Sequence, residues 1–522
     1  MSIVRHLLFS MKYRRVECMK STLLVLAVLV LFQVSIWSWY KGREREDLRP
    51  AMSWLDERME SLANEKRSAE EEELFQRLTF DYRLRSSPPS EEEVELHRHQ
   101  YSIPNCDETQ WQKEGASAGR CPYRTETRFP ILLWWTQATY HKHLIRRCTY
   151  GRCVFTQNRR ELGSPRTRAV LFKGRGLDAY DVPLPRKPNV EWFLFHDSAP
   201  HTAPVLYSPL AMRLFNLTAT FSRFSDFPLT LQHIHDIESL KSHAWMTSLA
   251  EKQAAIDKGG ALVVYDTDEC NVPSDRDNLV RLLMDLMPVD FLGKCPSLDS
   301  QNKAKSRRKE LAGWDKIREF AVHKFALVFE TDICSDYIGE SLWTALSCGT
   351  VPVYFGDAER LQSLLPHSKA VILVSDFPSL PDLVKHLKKL DSDDELYRQH
   401  LGHIVNKTVS HHLQRLFALR NYGGETSPLQ DALDGFECFA CDKVYEQLLS
   451  VAYSKPVKSH QANATHFSCH EPQPYSRSES YSWHKRWQDG RHTGDALYEM
   501  AHTPETNSSR LSAYFKHGEV EN

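Results

Sequence analysis

Between Phe129 and Val374 short apolar runs alternate with polar stretches: ILLWW (131–135), AVLF (169–172), EWFLF (191–195), ALVVY (261–265), FALVF (325–329), VPVYF (351–355) and AVILV (370–374). Runs this short and this continuously apolar predict strands buried on both faces, the kind found in parallel sheets covered by helices. Helices are expected in DRDNLVRLLMDLM after Ser274, in DYIGESLWTALS before Gly349 and in LPDLVKHLKKLD after Asp376. In the second, Asp336 is the expected N-cap, Tyr337, Ile338, Leu342, Ala345 and Leu346 form one apolar face, and Gly349 stands where a C′ glycine ends a helix. The fold class is therefore α/β, with two domains expected at 128–245 and 246–440 and a C-terminal extension at 441–522. In such sheets ligands bind beyond the carboxyl ends of the strands, where the winding reverses. Those places carry His196-Asp197-Ser198-Ala199-Pro200-His201, then Asp266-Thr267-Asp268 and Arg276, then Glu330-Thr331-Asp332.

The stretch from Ser21 to Tyr40 has no charged residue and ends in Trp37, Trp39 and Tyr40, so it is long enough to span a bilayer and carries an aromatic belt. WYKGRERE follows in place of a cleavage site, which points to an uncleaved signal anchor, with 1–20 as cytoplasmic tail and 41–127 as a charged stem. The alternative is a soluble chain with a buried apolar helix. Four N-x-S/T sequons, at Asn216, Asn406, Asn463 and Asn507, and eleven of the twelve cysteines follow this span, which suits a lumenal body and a type II orientation. Golgi and endoplasmic reticulum are equally open. A net charge of −2 gives no sign of a nucleic-acid partner.

No GxGxxG, GxxxxGK[ST], HExxH or G-x-S-x-G is present, which counts against dinucleotide oxidoreductases, P-loop enzymes, zinc proteases and α/β-hydrolases. Asp266-Thr267-Asp268 has the form of a carboxylate pair for a hard cation, a form common by chance. Cys438 and Cys441 form a C-x-x-C, read as a local structural disulfide, with Cys148 and Cys153 as another and Cys348 as the unpaired thiol.

The segment HKFALVFETDICSDYIGESLWTALSCGTVPVYFG (323–356) resembles the donor-site motif of the α-(1,3)-fucosyltransferases, glycosyltransferase family 10. CTYGRCVFTQNRR, RLFNLTATFSRFSDFPL, CNVPSDRDNLVR, LDSDDELY and FECFACDKV are similar to the branch containing α-(1,3)-fucosyltransferases 10 and 11. The resemblance implies two Rossmann-like domains of the GT-B type, GDP-fucose as donor, inversion at the anomeric carbon, no metal, and a glycan or a protein serine or threonine hydroxyl as acceptor. It implies that Arg276 binds the diphosphate, that Glu330, Tyr337 and Glu340 hold the nucleotide-sugar, and that Glu340 accepts from ribose hydroxyls. For Tyr337, packing in the core is the alternative.

The chain departs from the family at the chemistry. The family base is the glutamate immediately before Ser-Pro, H-E-E-S-P in that branch, and Ser198 stands there; Ser341 stands at the donor-site lysine. Serine is no carboxylate base, and losing a general base costs roughly 10²- to 10⁴-fold in rate. Asp197 or His201 is left to substitute, although neighbours on a strand point to opposite faces. Two readings stay open: a transferase with a substitute base, and a weakened homologue that acts as a lumenal binding protein.

Overall fold

The computed structural model describes residues 129–503, apart from 138–142, 296–297, 299–313, 421, 423–427, 453–455, 458 and 476–480. The expected membrane span, the stem and Asn507 lie outside the described residues. Among the described residues no helix is long and apolar enough to cross a membrane.

Two sheets carry the architecture. The first has six strands, β1 (Ile131–Trp134), β2 (His143–Arg147), β3 (Arg152–Thr156), β4 (Thr167–Lys173), β5 (Glu191–Phe195) and β6 (Leu217–Ala219), in the order β2-β3-β1-β4-β5-β6. All neighbours are parallel except β2, which runs antiparallel to β3 at the edge. The apolar runs are nearly continuous because both faces are buried. Leu133, Val170, Phe172, Trp192 and Leu194 face one core with Met212 and Phe215, while Leu132, Trp134, Leu171, Phe193 and Phe195 face another with Leu433, Phe436 and Val444.

The second sheet contains β7 (Val263–Thr267), β8 (Val289–Gly293), β9 (Phe325–Phe329), β10 (Val351–Phe355) and β11 (Ile372–Leu373), all parallel, in the order β11-β10-β9-β7-β8. The chain moves outward from β7 to β8 and then returns to lay β9 on the other side of β7. The winding reverses between β7 and β9, so their carboxyl ends are where this sheet opens a ligand crevice. Helices Glu340–Ser347 and Arg276–Met284 cover opposite faces, the first through Leu342, Trp343 and Leu346 and the second through Leu279, Val280 and Leu283.

The helix expected from Asp336 begins later, at Glu340, with Gly339 as its N-cap. Asp336 has φ +71° and its carboxylate accepts from Arg223 Nε (2.7 Å) and from the Arg223 backbone N–H (3.1 Å). A buried guanidinium needs a counter-charge, and that need outbids capping. Gly349, with φ +70°, ends the helix as expected.

From Pro428 the chain returns to the first sheet. Leu433, Phe436, Ala440 and Val444 of the helix Pro428–Ala452 form an apolar stripe on it, so the expected domain boundary at residue 440 falls inside this helix. Glu437 accepts from Trp134 Nε1 (2.9 Å) and from Arg146 Nε (2.8 Å). Here the expected cysteine pairing is corrected. Cys438 bonds Cys148 and Cys441 bonds Cys153, because the helix lies across the β2–β3 hairpin and brings each cysteine to a distant partner. Cys270–Cys295 and Cys334–Cys469 are also bonded, and Cys348 is a buried free thiol.

Of the sequon asparagines, Asn216 is half-buried: its amide nitrogen donates to the His460 carbonyl (3.1 Å), and its Oδ1 accepts from the Trp192 N–H (3.0 Å) and from Arg186. Asn406 and Asn463 are exposed.

Peptide mapping without reduction is expected to recover 148–438 and 153–441 linkages and no 438–441 linkage. Replacing Cys153 and Cys441 by serine is expected to lower stability by about 2–5 kcal/mol, read from denaturant unfolding.

Candidate active site

Glu330 follows directly on β9, at the winding reversal. Its carboxylate is buried and accepts from the Gly339 N–H at 3.1 and 3.0 Å through its two oxygens, which places a negative charge at the start of the helix Glu340–Ser347. A Cβ at residue 339 would come within 2.9 Å of Glu330 Oε2, so a larger residue there would require the carboxylate to shift. Beyond the other end of the helix Lys252, also buried, donates to the Gly349 carbonyl (2.9 Å) and the His323 carbonyl (2.7 Å). Opposite charges at the two ends match the helix dipole and fix the element that carries Glu340 and Ser341. Burial pushes the Glu330 carboxyl up to about 7, against the Gly339 hydrogen bonds and the Arg276 charge, which pull it down.

Asp332, two residues on, is almost fully buried and has both oxygens filled from the first half of the molecule. Tyr207 O–H donates to Oδ1 (2.7 Å), and His201 Nδ1 lies 2.7 Å from Oδ2. His201 belongs to a short 3-10 turn just after β5, so this contact joins the carboxyl end of β5 to the carboxyl end of β9. The His201 ring packs edge-on against Trp483, and its Nε2 is 4.0 Å from Glu269, an exposed carboxylate after β7.

The intervening residues are arranged differently from what a strand would impose. Asp197 and Ser198 lie past the end of β5, and the Ser198 hydroxyl donates to Asp197 Oδ1 at 3.1 Å. Asp197 Oδ2 is 3.2 Å from Lys173 Nζ. The carboxylate expected to replace the missing base is thus already engaged on both oxygens. His196 is buried, and desolvation pushes its imidazole down to about 4, although Asp197 and Asp332 act in the opposite direction.

Of the four residues expected to hold the donor, Glu340 is exposed and the other three are turned inward. Arg276 donates through Nη1 to the Phe329 carbonyl (2.6 Å) and through Nη2 to Thr267 Oγ1 (2.5 Å) and the Glu269 carbonyl (3.1 Å), leaving Nε–H without a partner. It ties the ends of β7 and β9 together from beneath. Tyr337 packs edge-on against Phe221, with its hydroxyl 3.2 Å from Thr331 Oγ1, which is the core role named as its alternative. The carboxyl ends of two adjacent strands leave little room, and the burial that closes the sheet takes up these side chains.

Sequence reasoning missed Lys173, Tyr207, His233 and Lys316. Lys316 Nζ lies 2.8 Å from Asp266, the first carboxylate of the Asp-x-Asp. His233 is half-buried; desolvation lowers its pKa, while Glu340 from the second half and Asp197 from the first pull it up. No local motif marks these residues, because each reaches the crevice from a different element. Among the described residues one cluster has metal-ligand types, Cys270, Asp277 and Cys295, and its two sulfurs are bonded to each other.

Residues 257–422 match the model described as "Glycosyltransferase family 10 (fucosyltransferase) C-term", and residues 126–232 match "Fucosyltransferase, N-terminal". The GDP-fucose protein O-fucosyltransferase 3 of Homo sapiens is 36% identical over 374 residues, covering 70% of this chain and 76% of that protein. The chain belongs to glycosyltransferase family 10. The Danio rerio protein of the same name is 32% identical over 388 residues, covering 73% of this family 10 chain and 84% of its own length. A crystal structure of an α1,3-fucosyltransferase with GDP aligns at 14% identity and a TM-score of 0.35, over 60% of this chain and 95% of that one. Family membership makes the chain a glycosyltransferase of the fucosyltransferase type.

The raised Glu330 value sets a pH dependence. A carboxyl whose folded pKa exceeds its ordinary 4.5 contributes stability in full below 4.5 and loses it as pH rises through about 7. Glu330 accounts for about 3 kcal/mol over that window. Urea unfolding on either side of the window is expected to show a smaller loss of stability with rising pH in Glu330→Gln than in the parent chain.

Proposed function

We propose that this family 10 chain transfers L-fucose from GDP-fucose, with inversion, to a serine or threonine hydroxyl of a folded protein. The observation that carries the reading is the similarity over 70% of the chain to proteins named GDP-fucose protein O-fucosyltransferase 3. It also favours transfer over the binding-only alternative and a protein over a glycan acceptor. The two parallel sheets, with the carboxyl ends of β5 and β9 brought together at His201 and Asp332, support a GT-B arrangement. Segments such as FECFACDKV support a place beside the branch of α-(1,3)-fucosyltransferases 10 and 11.

In this reading Glu340, exposed in the first turn of its helix, receives the ribose hydroxyls. Arg276, Glu330 and Tyr337 hold the floor of the donor site from inside. This reading takes the transfer as metal-free, and the pairing of Asp266 with Lys316 at 2.8 Å supports it. Four disulfides among the described residues and the exposed sequons Asn406 and Asn463 support a lumenal body in the Golgi or endoplasmic reticulum, on a type II anchor at Ser21–Tyr40.

The test is transfer of labelled fucose from GDP-fucose by the full chain in detergent to a panel of folded protein domains and N-glycans. Label is expected on serine or threonine of a protein domain. The rate in EDTA is expected to stay within about 2-fold, whereas removal of a catalytic metal would cost several kcal/mol of transition-state stabilisation. Label on glycans alone, or a collapse in EDTA, contradicts the reading.

A further inference from the structure

We propose that His201, held by Asp332, is the base that takes the proton of the acceptor hydroxyl in this chain. The inference rests on the fucosyl transfer proposed above and supplies the group that its chemistry lacks at Ser198. Transfer with inversion needs a proton acceptor beside the attacking oxygen, and neither Ser198 nor Asp197 offers a free one. Ser198 is a donor here, and the Asp197 oxygens are taken by Ser198 (3.1 Å) and Lys173 (3.2 Å).

His201 satisfies the chemical requirements. It lies three residues beyond Ser198, on the same loop at the carboxyl end of β5, and its partner Asp332 lies just beyond β9, where the second sheet's winding reverses. When the neutral ring donates its Nδ1 proton to Asp332 Oδ2, 2.7 Å away, its lone pair lies on Nε2. Among the described residues no hydrogen bond uses Nε2. The charged group it faces is Glu269 at 4.0 Å, itself an acceptor. The His201 side chain is 12% exposed, enough to open one edge to a ligand, with Trp483 packed on the ring. Tyr207 O–H fills the other oxygen of Asp332, so this buried carboxylate is fixed in place and acts as the positioning residue.

In the step the acceptor oxygen bonds to the anomeric carbon of fucose as the bond from that carbon to the β-phosphate oxygen breaks. The electron pair of the broken bond leaves on GDP. The hydroxyl proton moves to His201 Nε2, and the charge that arrives on the ring lies between Asp332 and Glu269 before the proton passes to solvent. The arrangement resembles an imidazole oriented by a buried carboxylate in other acid–base sites, with the two members drawn from different halves of the chain.

The decisive variant is His201→Asn, whose amide N–H stands near the place of Nδ1 and keeps the bond to Asp332 while Nε2 is lost. In the full chain His201→Asn is expected to lower kcat about 10²- to 10⁴-fold, with KM for GDP-fucose and affinity for GDP within about 3-fold of the parent. Added imidazole is expected to restore part of the rate in His201→Gly. Asp197→Asn is expected to keep kcat within about 5-fold. The inference is overturned if His201→Asn transfers as fast as the parent, if Asp197→Asn takes the large loss instead, or if the His201 variants lose GDP binding along with rate and imidazole restores nothing. A parent chain that binds GDP-fucose and transfers none overturns the proposed function, and the base with it. The parent rate therefore tells the two failures apart.

Discussion

The carboxylate of Asp332 is the constraint on which this molecule depends. It is buried at the end of β9, where an unpaired charge would cost several kcal/mol, and both of its partners, His201 and Tyr207, come from the other sheet's half. The two halves cannot separate there without stranding it. The next residues repeat the device. Asp336 is buried against Arg223, and Cys334 is bonded to Cys469 while the Ser335 and His470 N–H groups donate to the Ser468 and Ile333 carbonyls. Between Glu330 and Glu340 the chain is thus held by residues that follow the strands of the first sheet, by the returning C-terminal segment and by the helix it leads into.

Charge in the crevice is compensated locally almost everywhere. Asp197 has Lys173, Asp266 has Lys316, Glu330 has a helix N-terminus, and the guanidinium of Arg276 is absorbed by carbonyls and a threonine hydroxyl. Groups with unused capacity among the described residues of the crevice include the exposed carboxylate of Glu340, the Nε–H of Arg276 and the Nε2 of His201. A site built this way selects through the few groups it leaves unsatisfied, since compensated pairs give a ligand little to gain.

How far the sequence speaks for this structure depends on the range of the interaction. Each of the seven apolar runs contains a strand, because burial on both faces writes itself into consecutive residues. The edge hairpin escapes the same reading. β2 is HLIRR, partly exposed and antiparallel, and carries no continuous run. The cysteine spacings 148–153 and 438–441 suggest two local bridges, yet the helix Pro428–Ala452 crosses the hairpin and exchanges the partners over a separation of about 290 residues. Asp336 has the side chain of a cap and spends it on Arg223, 113 residues away. His201 and Asp332 are each legible as polar residues after a strand. That they touch is a fact of how the two sheets meet, and no spacing in the chain encodes it.

The departure from the family pattern at Ser198 is less costly in this setting than it looks in isolation. A glutamate at position 198 would place a second anion beside Asp197 with only Lys173 to answer both, whereas serine donates a hydrogen bond to the same carboxylate and leaves one clean ion pair. A base on this loop must lie at the carboxyl end of β5 and be oriented by something rigid, and a residue three positions on satisfies both conditions once the partner is a buried carboxylate from the other half. Orientation supplied across the crevice has a further consequence. The imidazole has its working tautomer only while the halves are docked, so acid–base competence becomes a property of the assembled crevice and not of the loop that carries the residue.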